Sequence, residues 1–396
     1  MSNKWLQYIQ GELFLGEHPL HTLVQNYRHP IYVYDLKLIK NRLEQMQKAL
    51  PSVKIFFAMK SNPNIQILSS LKQHGACVDV VSGGEIARAM QAGFLAHDVV
   101  FSGVGKTVSE IEDALERNIY QINVESVPEL KRIAQVAAQK KVCASIALRL
   151  NPNVDIKTHP YIATGLHENK FGIELSQLGE VERILKQNSE GLSLKGISLH
   201  LGSQMKEFSG FREALHLLKA IYLELQQKFP SLDRFDVGGG LGVCYEQQDP
   251  EQEAIWLQAW AMAIQDELKD LNAEIQIEPG RFLVAHAGVL LAQVQYVKQT
   301  PYRKFIILDT GMNHLIRPSL YQAFHQILPL KENPERKKEL VDIVGPICES
   351  ADAFVKEYTF PVVEEFEFVA IADAGAYGFS MASQYNLQAL PLEIVL

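Results

Sequence analysis

Lys60 ends the run FFAMKSNPN, so an ammonium group follows apolar and aromatic residues that do not solvate it. Burial of this kind lowers a lysine's pKa and makes its amine a nucleophile towards an aldehyde, the requirement for a Schiff base. Taken alone, a lysine at a strand end is a solvent-exposed cap. Two further motifs change that reading. Asp236 to Val243 reads DVGGGLGV, and three successive glycines let backbone N–H groups approach an anion while tolerating positive φ. Glu278 to Arg281 reads EPGR, which supplies a carboxylate, a Pro-Gly turn and a guanidinium suited to phosphate or carboxylate. A nearby carboxylate keeps a heteroaromatic ring nitrogen protonated, and such a ring withdraws electrons most strongly in that state.

These residues need a scaffold that brings strand ends together. At 396 residues the chain exceeds the size at which one core keeps growing, so two domains are expected. From about residue 30 to 280, short apolar runs alternate with longer amphipathic stretches, the pattern of repeated βα units. Eight candidate strands read Val53–Met59, Cys77–Val81, Val99–Phe101, Gln121–Val124, Ser145–Leu150, Leu194–Leu199, Arg234–Val237 and Glu274–Glu278. Between them lie helical candidates such as Asn64–His74, Val108–Arg117, Val127–Lys140 and Gly210–Lys228. The pattern predicts an α/β fold, a TIM-like (β/α)8 barrel over residues 35–280. Lys60, Asn151, His200, Gly238–Gly240 and Pro279–Arg281 each follow one of these strands, where a barrel places its active site. Glycines after the seventh strand also occupy the usual barrel phosphate position, whereas a dinucleotide site needs them at the start of a βαβ unit. Beyond Arg281, alternating segments that include Leu283–Val297, Lys304–Asp309, Glu339–Val344 and Glu367–Asp373 predict a second, mainly antiparallel β domain. It spans residues 281–396 and is completed by residues 1–34.

Composition narrows the partners. A net charge of −8 with no dense basic stripe argues against nucleic acid. No segment approaches eighteen consecutive apolar residues, and the N-terminus lacks a secretory pattern, so a cytoplasmic protein without a membrane partner is expected. The four cysteines, Cys77, Cys143, Cys244 and Cys348, are scattered, which suggests neither a metal site nor a disulfide framework. Cys77 and Cys143 fall in apolar runs and read as small buried hydrophobes.

The chain resembles the diaminopimelate and ornithine decarboxylase family, barrel-type enzymes that use pyridoxal 5'-phosphate. The resemblance covers almost the whole length and rests on FFAMKSNPN, DVVSGGE, FSGVGKT, RLNPNVD, THPYIATG, ENKFGI, HLGSQ, DVGGGLGV, EPGR, GMNHLIRPSLY, VGPICES and AGAYGFSMASQYN, in the family's order. It implies that Lys60 is the cofactor-bearing lysine, that His200 stacks on the pyridoxal ring, and that Glu278 partners the ring nitrogen. Ser203, Gly239 and Gly240 match phosphate-loop positions, and Gly280, Arg281 and Tyr377 match further residues around the cofactor. Without the resemblance, His200 reads as a core histidine and Tyr377 as a turn aromatic.

For substrate, the resemblance implies Arg281, Arg317, Tyr321, Glu349 and Tyr377. Arg317 and Tyr321 stand four residues apart in GMNHLIRPSLY, and a guanidinium offers a fork for a distal carboxylate. The family's diaminopimelate branch has this pattern, which implies decarboxylation of meso-2,6-diaminopimelate to L-lysine and CO2, the last step of lysine biosynthesis. Cys348 matches the proton donor, a task that suits a thiol's pKa. In the family this loop enters the neighbouring subunit's site, implying a homodimer with shared sites. Two rival readings remain: a sister decarboxylase for another amino acid or a carrier-tethered substrate, and a catalytically silent regulatory homologue. The family usually has Gly at Ala351, and a Pro/Arg-rich segment where this chain runs LQALPLEIVL. These departures suggest an altered proton-donor loop and a shortened final strand.

Overall fold

The computed structural model describes residues 5–27, 30–154, 170–246 and 248–396; the motif THPYIATG lies outside the described residues. Two compact units emerge. One comprises Leu43–Gly242 and Gln252–Gly280, the other Met1–Arg42, Val243–Glu251 and Arg281–Leu396.

The first unit is a closed parallel barrel. Its strands are β1 (Lys54–Ala58), β2 (Cys77–Val80), β3 (Val99–Phe101), β4 (Gln121–Val124), β5 (Ala144–Asn151), β6 (Leu192–Ser198), β7 (Arg234–Asp236) and β8 (Glu274–Ile277). Each pairs with the next, and β8 closes on β1 through Gln276 opposite Lys54 and Ile277 opposite Ile55. All eight match the strands expected from sequence, with ends displaced by no more than two residues. The match follows from burial: β2, β3 and β4 are buried at every position, as expected for strands covered on both faces, so they read as short continuous apolar runs. Side chains start the intervening helices sharply. Asn64 accepts from the N–H groups of Gln66 and Ile67, and Thr107 with Glu110 forms a capping box.

The second unit is organised around β9 (Gly288–Gln299). This strand pairs antiparallel with Ile31–Tyr34, with β10 (Lys304–Leu308) and with β14 (Phe368–Ile371). β11 (Ile327–Pro329) extends the sheet beyond β14, and β12 (Lys338–Val344) and β13 (Ala353–Pro361) extend it beyond β10. The β10 to β12 pairing is parallel, so the sheet is mixed. A separate three-stranded sheet of Leu6–Ile9, Glu12–Leu15 and His18–Pro19 packs Leu6, Leu13 and Leu15 into one core with Ile31, Val33, Val289, Leu291 and Ala370.

Some expectations need correction. Leu283 belongs to a helical turn, Arg281–Val284, and the strand starts only at Gly288. The final segment forms the strand β15 (Leu392–Val395), which pairs in parallel with Ile31–Tyr34. Cys77 is buried, but Cys143 is exposed; it lies between the left-handed cap Lys141 and the first residue of β5. Among the described residues no helix is long and apolar enough to cross a membrane.

Candidate active site

Lys60 leaves β1 in a single 3-10 turn, Met59–Ser61. Its Nζ lies 3.8 Å from Oδ2 of Asp79, on β2. Asp79 is fully buried, with Ser102 beside its carboxylate. Burial, reinforced by the charge of Glu278, pushes its pKa up to about 7. Asp236, the last residue of β7, is likewise fully buried and pushed up to about 6. Glu278 follows β8, accepts from Asn123 Nδ2 at 3.2 Å, and is hydrogen-bonded to Asp236. Burial, then the adjacent Asp236, holds Glu278 well above the ordinary carboxylate range. Two carboxyls in such contact share a proton and titrate as a pair.

His200 follows β6. The Gly239 N–H donates to its Nδ1 at 3.2 Å, which leaves any ring proton on Nε2. Burial, then the charges of Lys60 and Arg149, keeps the imidazole well below its ordinary pKa and therefore neutral. Arg149 is itself held by Glu125 at 2.7 Å. The glycine run packs too closely for side chains: a Cβ at Gly239 would lie 2.1 Å from the Glu278 carbonyl oxygen, and one at Gly240 2.3 Å from that of Gly202. Backbone hydrogen bonds from Met205 N–H to Gly240 and from Gly242 N–H to Met205 tie this run to the loop bearing Ser203. Gly280 is buried beside Ser61, the residue after Lys60.

In the β unit, two arginines surround one phenol. Arg281 Nη1 donates to the Tyr245 hydroxyl at 2.7 Å, and its guanidinium lies 5.0 Å from the Tyr377 ring centroid. Buried Arg317 opens a short helix, Arg317–Tyr321, with its guanidinium 4.6 Å from the Tyr245 centroid. Burial would raise the pKa of Tyr245, but Arg281 and Arg317 outweigh it and hold the hydroxyl below its usual range. Tyr321 adds to the field that keeps Arg281 charged. Tyr377 and Asp373 both adopt positive φ, at 58° and 57°. His286 anchors their loop to the chain just before β9, bonding Asp373 at 2.6 Å.

Cys348 is exposed, and its N–H donates to Asn386 Oδ1 at 2.8 Å. Glu349 is also exposed. Buried Asp352 accepts from the N–H groups of Met312 at 2.6 Å and Ile347 at 2.7 Å, tying the cysteine loop to the segment leading into Arg317. Ala351 is not among the residues with positive φ, so its backbone conformation does not demand glycine. Its carbonyl accepts from Ser319 Oγ at 2.7 Å.

Lys60, His200, Ser203, Gly239, Gly240, Glu278 and Gly280 thus belong to the barrel mouth, and Arg281, Arg317 and Tyr377 to the cluster around Tyr245. Sequence reasoning missed Asp79, Asp236, Arg149, Tyr245 and Asp352, and also His325, whose Nε2 lies 2.9 Å from Arg317 Nη1. The one available signal was Asp79 itself, a lone acid inside the apolar run CVDVV. The barrel set suits a pyridoxal group. The buried carboxyls would compensate a protonated ring nitrogen, the neutral histidine adds no competing charge, and the glycine run can approach a phosphate. Among the described residues no group of three or more His, Cys, Asp or Glu could hold a metal ion.

Residues 36–285 match the family described as pyridoxal-dependent decarboxylase, pyridoxal binding domain. The chain belongs to this family. It is therefore a decarboxylase whose cofactor is pyridoxal 5'-phosphate. A diaminopimelate decarboxylase of Aquifex aeolicus is 42% identical over 393 residues, 99% of this chain and 92% of the relative. One from Helicobacter pylori is 43% identical over 94% of this chain and 92% of its own length. The crystal structure of the Helicobacter pylori diaminopimelate decarboxylase complexed with L-lysine superposes with a TM-score of 0.90 at 41% identity, covering 95% of this chain and 94% of that one.

Proposed function

We propose that the chain decarboxylates meso-2,6-diaminopimelate to L-lysine, the last step of lysine biosynthesis. The observation that carries this reading is buried Arg317, whose guanidinium meets His325 at 2.9 Å and the Tyr245 ring at 4.6 Å. A buried cation held by uncharged groups suits a substrate with a carboxylate remote from the reacting carbon. Ornithine and lysine offer an amine there instead. The relatives named above carry the same activity in their names.

Pyridoxal phosphate, when bound, supplies the electron withdrawal that lets a carboxylate leave as CO2. Lys60 would hold the cofactor through its amine, with Asp79 beside that amine. Glu278, sharing a proton with Asp236, keeps the ring nitrogen protonated. Ser203, Gly239, Gly240 and Tyr377 would hold its phosphate, with Gly280 admitting the close turn, and neutral His200 would add no charge beside the ring. Arg281, Arg317 and Tyr321 orient the substrate carboxylates, and Glu349 takes its distal ammonium. Cys348 delivers a proton to the carbon that has lost CO2. Its exposed thiol fits service to a neighbouring subunit, in a homodimer with shared sites.

The test is CO2 release from meso-diaminopimelate, lysine, ornithine and arginine, each with the loaded enzyme, followed by borohydride reduction and peptide mapping. Turnover of meso-diaminopimelate alone and a pyridoxyl label on Lys60 are expected. Equal turnover of lysine or ornithine would remove the substrate assignment, and a label on another lysine would remove the role of Lys60.

A further inference from the structure

Arg317 keeps its charge in a buried position through contacts that carry none. Its donors are N–H groups only, so His325 Nε2, 2.9 Å from Nη1, must accept. His325 Nδ1 lies 2.8 Å from the carbonyl oxygen of Ala372, which has lone pairs only, so Nδ1 must carry the proton. Both neighbours demand the same neutral tautomer. A doubly protonated ring would set N–H against N–H beside a guanidinium. Burial, and then the charge of Arg317, holds the imidazole pKa down at about 3, in agreement with this geometry. Ala372 directly follows β14, so the histidine is braced on the sheet. The Tyr245 ring meets it edge-on, with centroids 5.4 Å apart. Among the described residues no carboxylate pairs with Arg317.

We infer that His325 is a positioning residue that fixes the direction of the Arg317 guanidinium without neutralising it, and so sets the preference of this site for a ligand with a distal carboxylate. This rests on the substrate reading above. An apolar residue at 325 would leave the guanidinium held by Tyr245 alone, without the acceptor that fixes Nη1. A carboxylate would hold it as firmly but cancel the charge that a ligand carboxylate needs.

L-Lysine and 1,5-diaminopentane differ by one carboxylate, so the ratio of their inhibition constants on the loaded enzyme isolates this contact. The wild type should favour L-lysine by about tenfold or more, the range of a hydrogen bond to a charged group. In His325→Ala and His325→Glu the ratio should collapse towards one with 1,5-diaminopentane inhibition unchanged; His325→Gln, whose amide oxygen still accepts from Arg317, should keep most of it. General damage to the fold would weaken both ligands alike, and if the alanine variant does not fold, the contrast between Glu and Gln decides. A ratio that survives in His325→Glu but collapses in Arg317→Ala would overturn the role of His325 and leave that of Arg317 intact. A ratio near one in the wild type, unmoved by Arg317→Ala, would overturn the substrate reading and this inference with it.

Discussion

Replacing Gly240 by alanine concentrates its effect on the proposed phosphate loop. The new Cβ would lie 2.3 Å from the Gly202 carbonyl oxygen and 2.8 Å from Met205 Cε, at a φ of +104°. An unstrained carbon to oxygen contact is about 3.3 Å or longer, so the two loops must part by roughly 1 Å. That separation strains both hydrogen bonds that join them, at 2.8 Å from Met205 N–H to Gly240 and 2.9 Å from Gly242 N–H to Met205. Each contributes about 1 kcal/mol. The left-handed backbone adds about 1–2 kcal/mol for any residue with a Cβ. The total is about 3–4 kcal/mol, which must appear as lost stability or as the work of restoring the loop when cofactor binds. If it falls wholly on binding, the pyridoxal phosphate dissociation constant rises at least a hundredfold, since about 1.4 kcal/mol corresponds to each factor of ten. Titration of the apoenzyme followed by cofactor absorbance, paired with thermal unfolding of the same apoprotein, captures both shares. Unchanged affinity together with an unchanged Tm would refute the reasoning.

Two further outcomes follow from the site. The Asp79 carboxyl has a folded pKa of about 7 against about 3.9 in an unfolded chain. Between these values the folded apoprotein retains a proton that the unfolded chain has released, so stability is present at low pH and lost as pH rises through 7. From pH 6 to 8 the apoenzyme Tm should therefore fall further in wild type than in Asp79→Asn; equal falls would contradict the raised pKa. For the shared site, Lys60→Ala and Cys348→Ala enzymes should each be nearly inactive, while their mixed and refolded pair should recover about a quarter of wild-type activity, because half the dimers then carry one intact site of two. Hybrids confirmed by mass spectrometry but lacking activity would exclude sites built from two chains.

The barrel was legible because its strands are buried on both faces and its reactive residues sit at strand ends, where Lys60, His200 and Glu278 interrupt apolar runs. Asp236 escaped notice because an acid at a strand end reads as the start of the following loop, and Asp79 because a lone acid in the apolar run CVDVV does not show what it faces. Only closure of the barrel turns both inward with Glu278. Tyr245 was hidden differently. It lies between two barrel elements in sequence, yet the segment Val243–Glu251 belongs to the β unit, so no local pattern could join it to Arg281 and Arg317. His325 carries no motif at all, and its role arises from the carbonyl of Ala372, 47 residues away. Cys143 was misjudged because an apolar neighbourhood in sequence does not show where a helix cap ends and a strand begins.

The interleaving of the two units has a consequence for how the protein is made and handled. The chain passes from one unit to the other after Arg42, Gly242, Glu251 and Gly280, so no single proteolytic cut or truncation yields either unit as one continuous piece. Ile31–Tyr34 must also wait for β9, more than 250 positions downstream, before it gains its antiparallel neighbour. Loop closure over such a span costs only slightly more than over half that length, about 0.6 kcal/mol per doubling, so the delay weighs on rate far more than on final stability. The barrel strands pair mostly with near neighbours in sequence and can condense early, while the β unit assembles late and leaves strand edges open in the interval. Renaturation from denaturant should accordingly favour low protein concentration, where those edges meet their own chain before another.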